Sequence, residues 1–274
     1  MWQSDFVEVN GLRLHYTRTG SGDGRKSSVV LAHGFSDDGL CWSPLAEVLA
    51  PDYDVIMVDA RGHGKSDAPE QGYGQVDMAS DLAGVITALG LHRPAILGHS
   101  MGGATTYVLA GTYPDLPGAI LIEDSGAINL GSSVPTEEQK KRWEGMRRWV
   151  EGLKRQTKEE LMAGQRASTP HWSEEELLLW ADSKHRMSVR VLNRSDAAPV
   201  DWPSLLPNIA CPALLITGDT DKGAMVSAEG AKQLQSLIPG LQLAPIAGAG
   251  HCIRRDRPEE YLTVVRDFLR ASGF

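Results

Sequence analysis

Short apolar runs separated by helix-length segments constrain this chain more than any other feature. The runs fall at 6–9, 12–16, 28–32, 53–58, 95–97, 119–122, 213–217 and 241–245. The later runs are continuous, as strands buried on both faces are, while the first two alternate like an antiparallel opening hairpin. Segments 41–49, 76–89, 101–112, 228–237 and 258–271 have helical character. This alternation predicts the α/β class: a mostly parallel, twisted sheet with helices on both faces.

Between 125 and 203 the strand pattern stops, for longer than a bare loop in a compact domain runs. A helical insertion is expected there. Thr136 with Gln139, Thr157 with Glu160, and Ser173 with Glu176 are spaced as capping boxes that start helices. Trp143, Met146, Val150 and Leu153 recur at helical spacing, as do Leu177, Trp180 and Lys184. The expected organisation is one core domain, 1–124 and 204–274, with a helical cap at 125–203. Of the 7 tryptophans, Trp143, Trp149, Trp172, Trp180 and Trp202 lie in that segment. Most of these rings are expected to pack the cap onto the core, with Trp143 and Trp180 as candidates to line a substrate pocket.

A net charge of −8 offers no general basic field for a nucleic-acid backbone, although Lys140, Lys141 and Arg142 form a local patch. Residues 1–10 contain an acid and no long apolar core, and no stretch approaches a membrane span, so neither secretion nor membrane anchoring is expected. Cys41, Cys211 and Cys252 lack the paired spacing of zinc or redox motifs, and a cytoplasmic location is expected. No metal-ligand cluster, phosphate loop or dinucleotide fingerprint occurs, so no cofactor is implied.

Gly98, His99, Ser100, Met101 and Gly102 read G-x-S-x-G where an apolar run gives way to a helix. A serine in a sharp strand-to-helix turn projects its hydroxyl, and small flanking residues let the backbone turn without clash. With this motif stand His33, Gly34 and Phe35 after the third run, and Asp59, Ala60, Arg61, Gly62, His63, Gly64, Lys65 and Ser66 after the fourth. A late acid and histidine complete the set. On these motifs the chain, from about Val7 to Phe268, resembles the α/β-hydrolase superfamily, in the capped branch holding carboxylesterases, lactonases, cofactor-free haloperoxidases and carbon-carbon bond hydrolases.

A serine hydroxyl needs a base within hydrogen-bond reach, and the base needs an orienting acid. The resemblance implies Ser100 as nucleophile and His251, after Gly248, Ala249 and Gly250, as base. For the acid it points to Asp221, three residues after Gly218; Asp219 is the rival, and Asp124, after the sixth run, is the position a few relatives use. It further implies an oxyanion hole from the N–H groups of Phe35 and Met101, with Arg61 and His63 as scaffold. Cys252 beside His251 raises a thiol nucleophile, which adjacency on the chain disfavours, since neighbouring side chains usually point apart.

Ser100 disfavours epoxide hydrolase and haloalkane dehalogenase chemistry, since those relatives place an aspartate at the elbow. His99 stands where carbon-carbon bond hydrolases commonly carry asparagine, which counts against that chemistry without removing it. The same triad can support perhydrolase or haloperoxidase activity, and a ligand-binding receptor can be built on the same fold. The expected partner is a small-molecule ester or lactone. Stretches 37–42 and 123–127 are similar to capped esterases that open N-acyl-homoserine lactones.

Overall fold

The computed structural model describes residues 2–126, 137–193 and 197–274. The chain opens with β1 (Gln3–Val9) and β2 (Leu12–Arg18), then runs through β3 (Ser28–Ala32), α1 (Ser43–Leu49), β4 (Asp54–Val58), α2 (Gln75–Ala88), β5 (Ala95–His99), α3 (Met101–Thr112) and β6 (Ala119–Glu123). Helices α4 (Glu137–Arg155), α5 (Lys158–Ser168), α6 (Glu174–Arg186) and the short α7 (Trp202–Leu205) follow. The chain closes with β7 (Ala213–Thr217), α8 (Ala228–Leu237), β8 (Gln242–Pro245), the single turn α9 (Ile253–Asp256) and α10 (Pro258–Ala271).

The strands form one 8-stranded sheet in the order β1-β2-β4-β3-β5-β6-β7-β8. The pairs β1–β2 and β2–β4 are antiparallel, and every later pairing, from β3–β4 to β7–β8, is parallel. Asn10 and Gly11 turn the opening hairpin with φ of 53° and 74°, the two positive values a type I′ turn requires. β1 starts at Gln3, earlier than its apolar residues suggest: Gln3, Ser4 and Asp5 are exposed and join the ladder through backbone pairing with Arg18, Thr17 and Tyr16. β5 likewise runs on through Gly98 and His99, beyond its apolar run, because both pair with β6.

The unbroken apolar runs are divided between two cores by the pleat. Val30, Ile56, Ile96, Ile120 and Leu215 pack with α2, α3 and α8 residues such as Val85, Val108 and Leu234. Their neighbours Leu31, Met57, Leu97, Leu121 and Ile216 pack on the other face with Leu49 of α1 and Val265 and Leu269 of α10. Each such fully buried side chain stabilises the fold by about 1.5–3 kcal/mol, so strands with no polar face belong in the interior of the sheet.

β4 and β5 flank β3 on opposite sides, so the connection from β3 to β4 runs one way and the connection from β4 back past β3 to β5 runs the other. A crevice opens at such a reversal, beyond the carboxyl ends of the strands. Residues 33–35, Ser100, Asp124 and His251 all follow carboxyl ends, of β3, β5, β6 and β8.

Between β6 and β7 every described element is helical, with no strand among the described residues. Thr157 and Glu160 form the expected reciprocal capping box at α5, and Ser173 caps α6 by accepting from Glu176 N–H at 3.1 Å. The Thr136 box lies outside the described residues. Glu176 uses its carboxylate on Arg255 at 2.8 Å instead. Lys184, at an apolar spacing position of α6, is fully buried as an ion: Nζ donates to Asp37 Oδ1 and Ser36 O, both at 2.9 Å. Arg186 reaches Asp38, and Trp172 Nε1–H donates to Asp256 at 2.8 Å. Apolar contact adds to these ties, since Val150, Met187 and Val191 pack with Tyr73, Met78 and Met101 of the core.

Candidate active site

Ser100 sits between β5 and α3 with φ 52° and ψ −110°, a left-handed conformation costly for a residue with a side chain. Its neighbours show how the turn is held. A Cβ at Gly98 would lie 2.4 Å from Gly102 O, and one at Gly102 would lie 2.1 Å from Ala32 O. Ser100 N–H donates to Glu123 O at 3.0 Å and Gly102 N–H to His33 O at 3.1 Å, so the elbow is tied to both flanking strand ends. Met101 N–H, at the first position of α3, has no carbonyl within the helix to bind, and the helix start favours negative charge there.

His251 Nδ1–H donates to Asp124 Oδ2 at 2.7 Å. The same carboxylate accepts from Met225 N–H at 2.7 Å and Val226 N–H at 3.0 Å, and it is wholly buried. These three donors fix the orientation in which the carboxylate meets the imidazole. Asp124 itself has φ 41°, an αL conformation that aspartate adopts more readily than most residues. The expected acid, Asp221, is corrected by this geometry: it is exposed on a 3₁₀ turn, Thr220–Lys222, and the carboxylate at the imidazole is Asp124. Asp219 is committed elsewhere, accepting from Gly248 N–H at 2.6 Å and so bracing the loop that carries His251.

The His99 ring lies against that of His251 with centroids 4.6 Å apart and planes tilted by 43°, and its Nε2–H donates to His251 O at 3.0 Å. Burial, then the charges of Arg254 and His251, hold it well below the usual imidazole range, and it stays neutral. In the loop after β3, His33 Nδ1–H donates to Gly34 O at 2.8 Å and its Nε2 accepts from Ala60 N–H at 3.0 Å. Phe35 O faces His63 Nε2 at 2.6 Å, and His63 Nδ1 faces Arg61 O at 2.9 Å. Burial lowers His63 to about 4, so a neutral ring offers one N–H to two carbonyls inside the loop that carries Phe35. Asp59 anchors the next loop by accepting from His15, Gly39 N–H and Lys65 N–H; burial pushes its carboxyl up, and these bonds more than offset that.

Glu123 and Asp124, adjacent in sequence, serve opposite sides. Glu123 accepts from Arg254 N–H, Arg254 Nη1 and Tyr261 OH in the interior, while Asp124 takes His251. Arg254 and Arg255 also converge on Asp37 Oδ2 at 3.1 Å each. Burial alone would raise Asp37, but Arg255, Lys184 and Arg254 hold it well below the usual carboxylate range. Burial pushes the Cys252 thiol up to about 11, so the thiol is protonated at neutral pH and a poor nucleophile.

A cavity of about 470 Å³ reaches His251, Gly250 and Ser36 and is walled by α4, α5 and α6. Trp180 lines it, together with Trp149 and Trp172. The side chain of Trp143 lies outside the described residues. Lys222 also faces this cavity, a placement the sequence does not signal, for no motif marks a lysine one residue beyond an acid. Among the described residues no group of His, Cys, Asp and Glu is arranged to hold a metal, and no helix is long and apolar enough to cross a membrane.

The sequence profile of the alpha/beta hydrolase family matches residues 29–264. This chain belongs to that family. Within the family it is similar to N-formylmaleamate deformylase of Pseudomonas putida, 29% identical over 96% of this chain and 95% of the relative. It is 26% identical to 2-(acetamidomethylene)succinate hydrolase of Mesorhizobium japonicum, over 97% of this chain and 94% of that protein. The solved structure of Est816, described as an N-acyl homoserine lactone degrading enzyme, superposes with a TM-score of 0.74 at 26% identity, covering 96% and 99% of the two chains. The alpha/beta hydrolase fold and a hydrolase activity follow from this membership.

Proposed function

We propose that this alpha/beta hydrolase is a serine hydrolase that cleaves carboxylic esters of small to medium acyl groups through Ser100, His251 and Asp124. The observation that carries the reading is the 2.7 Å bond from His251 Nδ1 to Asp124, in a molecule whose Ser100 occupies a left-handed strand-to-helix elbow. With Nδ1–H held by the carboxylate, Nε2 carries the lone pair and is the atom free to accept the serine proton.

In the first half-reaction Ser100 Oγ bonds to the acyl carbon as its proton passes to His251 Nε2. The carbonyl electron pair moves onto oxygen, where the N–H groups of Phe35 and Met101 receive it. Collapse expels the alkoxide, which takes the proton from His251 and leaves the acyl group on Ser100. In the second half, water gives a proton to His251 and its oxygen to the acyl carbon; collapse returns that proton to Ser100 and frees the acid. Asp124 stays ionised and stabilises the imidazolium.

The helices between β6 and β7 act as a cap in this reading and set acyl preference, with Trp180 and Trp143 as substrate-contacting rings. Lactones, which are cyclic esters, fall within the proposal, and the likeness to Est816 favours them. A second reading, cleavage of an amide-type C–N bond, is favoured by the likeness to the deformylase along nearly the whole chain. We further propose a small-molecule substrate rather than nucleic acid or membrane, on the net charge of −8, and a cytoplasmic location, on the unpaired Cys41, Cys211 and Cys252.

The test is hydrolysis of 4-nitrophenyl esters and proton release from N-acyl-homoserine lactones and N-formyl amides, with Ser100→Ala as control. Ester or lactone turnover that vanishes in the variant supports the proposal. Turnover of amides alone moves the assignment to the second reading, and wild-type rates in Ser100→Ala overturn both.

A further inference from the structure

We propose that Lys222 is an anion subsite in the cavity beside His251, selecting substrates that carry a carboxylate at a distance from the bond that is cleaved. The proposal rests on the reading of Ser100 and His251 as the catalytic pair.

Three observations support it. First, Lys222 lines the same cavity as His251, and its backbone is fixed close to that histidine: a Cβ on Gly250 would lie 2.4 Å from Lys222 O. Glycine at 250 therefore lets the lysine's turn pack against the residue before the base. Second, Lys222 Nζ has no hydrogen bond or ion pair with any described residue. Lys222 is exposed on its turn, whereas the buried cations nearby are committed, Lys184 and Arg255 to Asp37, and Arg254 to Asp37 and Glu123.

Third, the rest of the wall leaves the lysine as its available charge. Asp256 is the acid lining the cavity, and it already accepts from Gly250 N–H at 2.7 Å, His171 Nε2 at 2.9 Å and Trp172 Nε1–H at 2.8 Å. Asp219, at the start of the same turn, is bonded to Gly248 N–H, and Asp221 is exposed next to the lysine. Trp149, Leu153, Leu161, Trp172 and Trp180 supply apolar surface. A methylene chain lying on those rings with a terminal carboxylate at the ammonium satisfies both. A single lysine is a point charge, suited to one carboxylate rather than to the bidentate grip an arginine would offer.

The experiment compares mono-4-nitrophenyl adipate and pimelate with the neutral hexanoate and heptanoate esters of the same carbon number. The full chain, Lys222→Gln and Lys222→Arg are assayed at low and high salt. The expected result is a preference for the anionic esters in kcat/KM that falls about fivefold in Lys222→Gln, chiefly through KM, and returns in Lys222→Arg. Added salt should erode the preference in the unaltered protein and leave the Lys222→Gln ratio in place. An unchanged ratio in Lys222→Gln overturns the subsite. So does an equal loss on charged and neutral esters with a displaced pH profile, which would mean that the lysine acts through His251. If none of these esters is cleaved by the unaltered protein, the catalytic reading fails first, and the subsite with it.

Discussion

Replacing Asp124 by asparagine separates the site described above from the one the family's common spacing implies. The carboxylate accepts three hydrogen bonds, from His251 Nδ1–H, Met225 N–H and Val226 N–H, and is wholly buried. An amide of the same shape has one acceptor oxygen and an NH₂ group, which must face one of those donors or a histidine with its proton moved to Nε2. In the second case the atom that should take the serine proton no longer can. Loss of the correct tautomer in a serine triad costs about 10⁴ in kcat, close to 5 kcal/mol of transition-state stabilisation at about 1.36 kcal/mol per tenfold. An unsatisfied buried donor adds about 1–3 kcal/mol of destabilisation, so the melting temperature should fall without abolishing the fold. The assay is kcat/KM on 4-nitrophenyl butyrate, with thermal unfolding in parallel, for Asp124→Asn, Asp219→Asn and Asp221→Asn. The expectation is a crippled Asp124 variant, an Asp221 variant at the rate of the unaltered protein, and a modest loss for Asp219, whose oxygen still accepts from Gly248 N–H when it is an amide. A crippled Asp221→Asn beside a nearly unaffected Asp124→Asn would refute the reasoning.

Trp180→Ala should change the ratio of rates on short and long acyl esters more than it lowers the best rate, because its ring lines the cavity at His251 while the proposed machinery lies outside the inserted helices; an unchanged ratio would mean that the ring only packs against Lys184. Native His63, lowered by burial from 6.5 to about 4, stays neutral while the unfolded chain's imidazole protonates, so its contribution to stability is present above about pH 6.5 and is lost as pH falls through about 4. Urea unfolding across that window should show His63→Asn losing less stability on acidification than the unaltered protein, at most about 1.4 kcal/mol per pH unit. Gly102→Ala should impair both folding and activity, since its Cβ would stand 2.1 Å from Ala32 O, whereas Gly152→Ala, with nothing within 4 Å, should stabilise α4 by about 0.8–1 kcal/mol; denaturant midpoints of the two variants check both.

The sequence carried the sheet because buried parallel strands write themselves as unbroken apolar runs, and it carried the elbow because Gly98 and Gly102 are demanded by backbone contacts that no other residue fits. It carried less at strand ends such as Gln3 to Asp5, where backbone pairing holds polar residues that have no hydrophobic signature. The acid was the hardest to read. Asp124, Asp219 and Asp221 all follow an apolar strand, and spacing along the chain does not report which carboxylate meets a histidine from a distant loop. The structure decides by a left-handed turn at Asp124 and by two backbone amides, Met225 and Val226, arriving from beyond β7. Lys184 was hidden for the opposite reason: its position follows the helical apolar period, yet it is buried as a cation because Asp37 and Ser36 O wait for it across the interface.

The central claim, that Ser100 is a nucleophile activated by His251, is tested most directly by covalent labelling with an alkyl fluorophosphonate, followed by intact mass and peptide mapping. The predicted result is one adduct, on Ser100, formed quickly by the unaltered protein, slowly by His251→Ala and Asp124→Asn, and not at all by Ser100→Ala. An adduct on another residue, or esterase activity that survives complete labelling of Ser100, would contradict it.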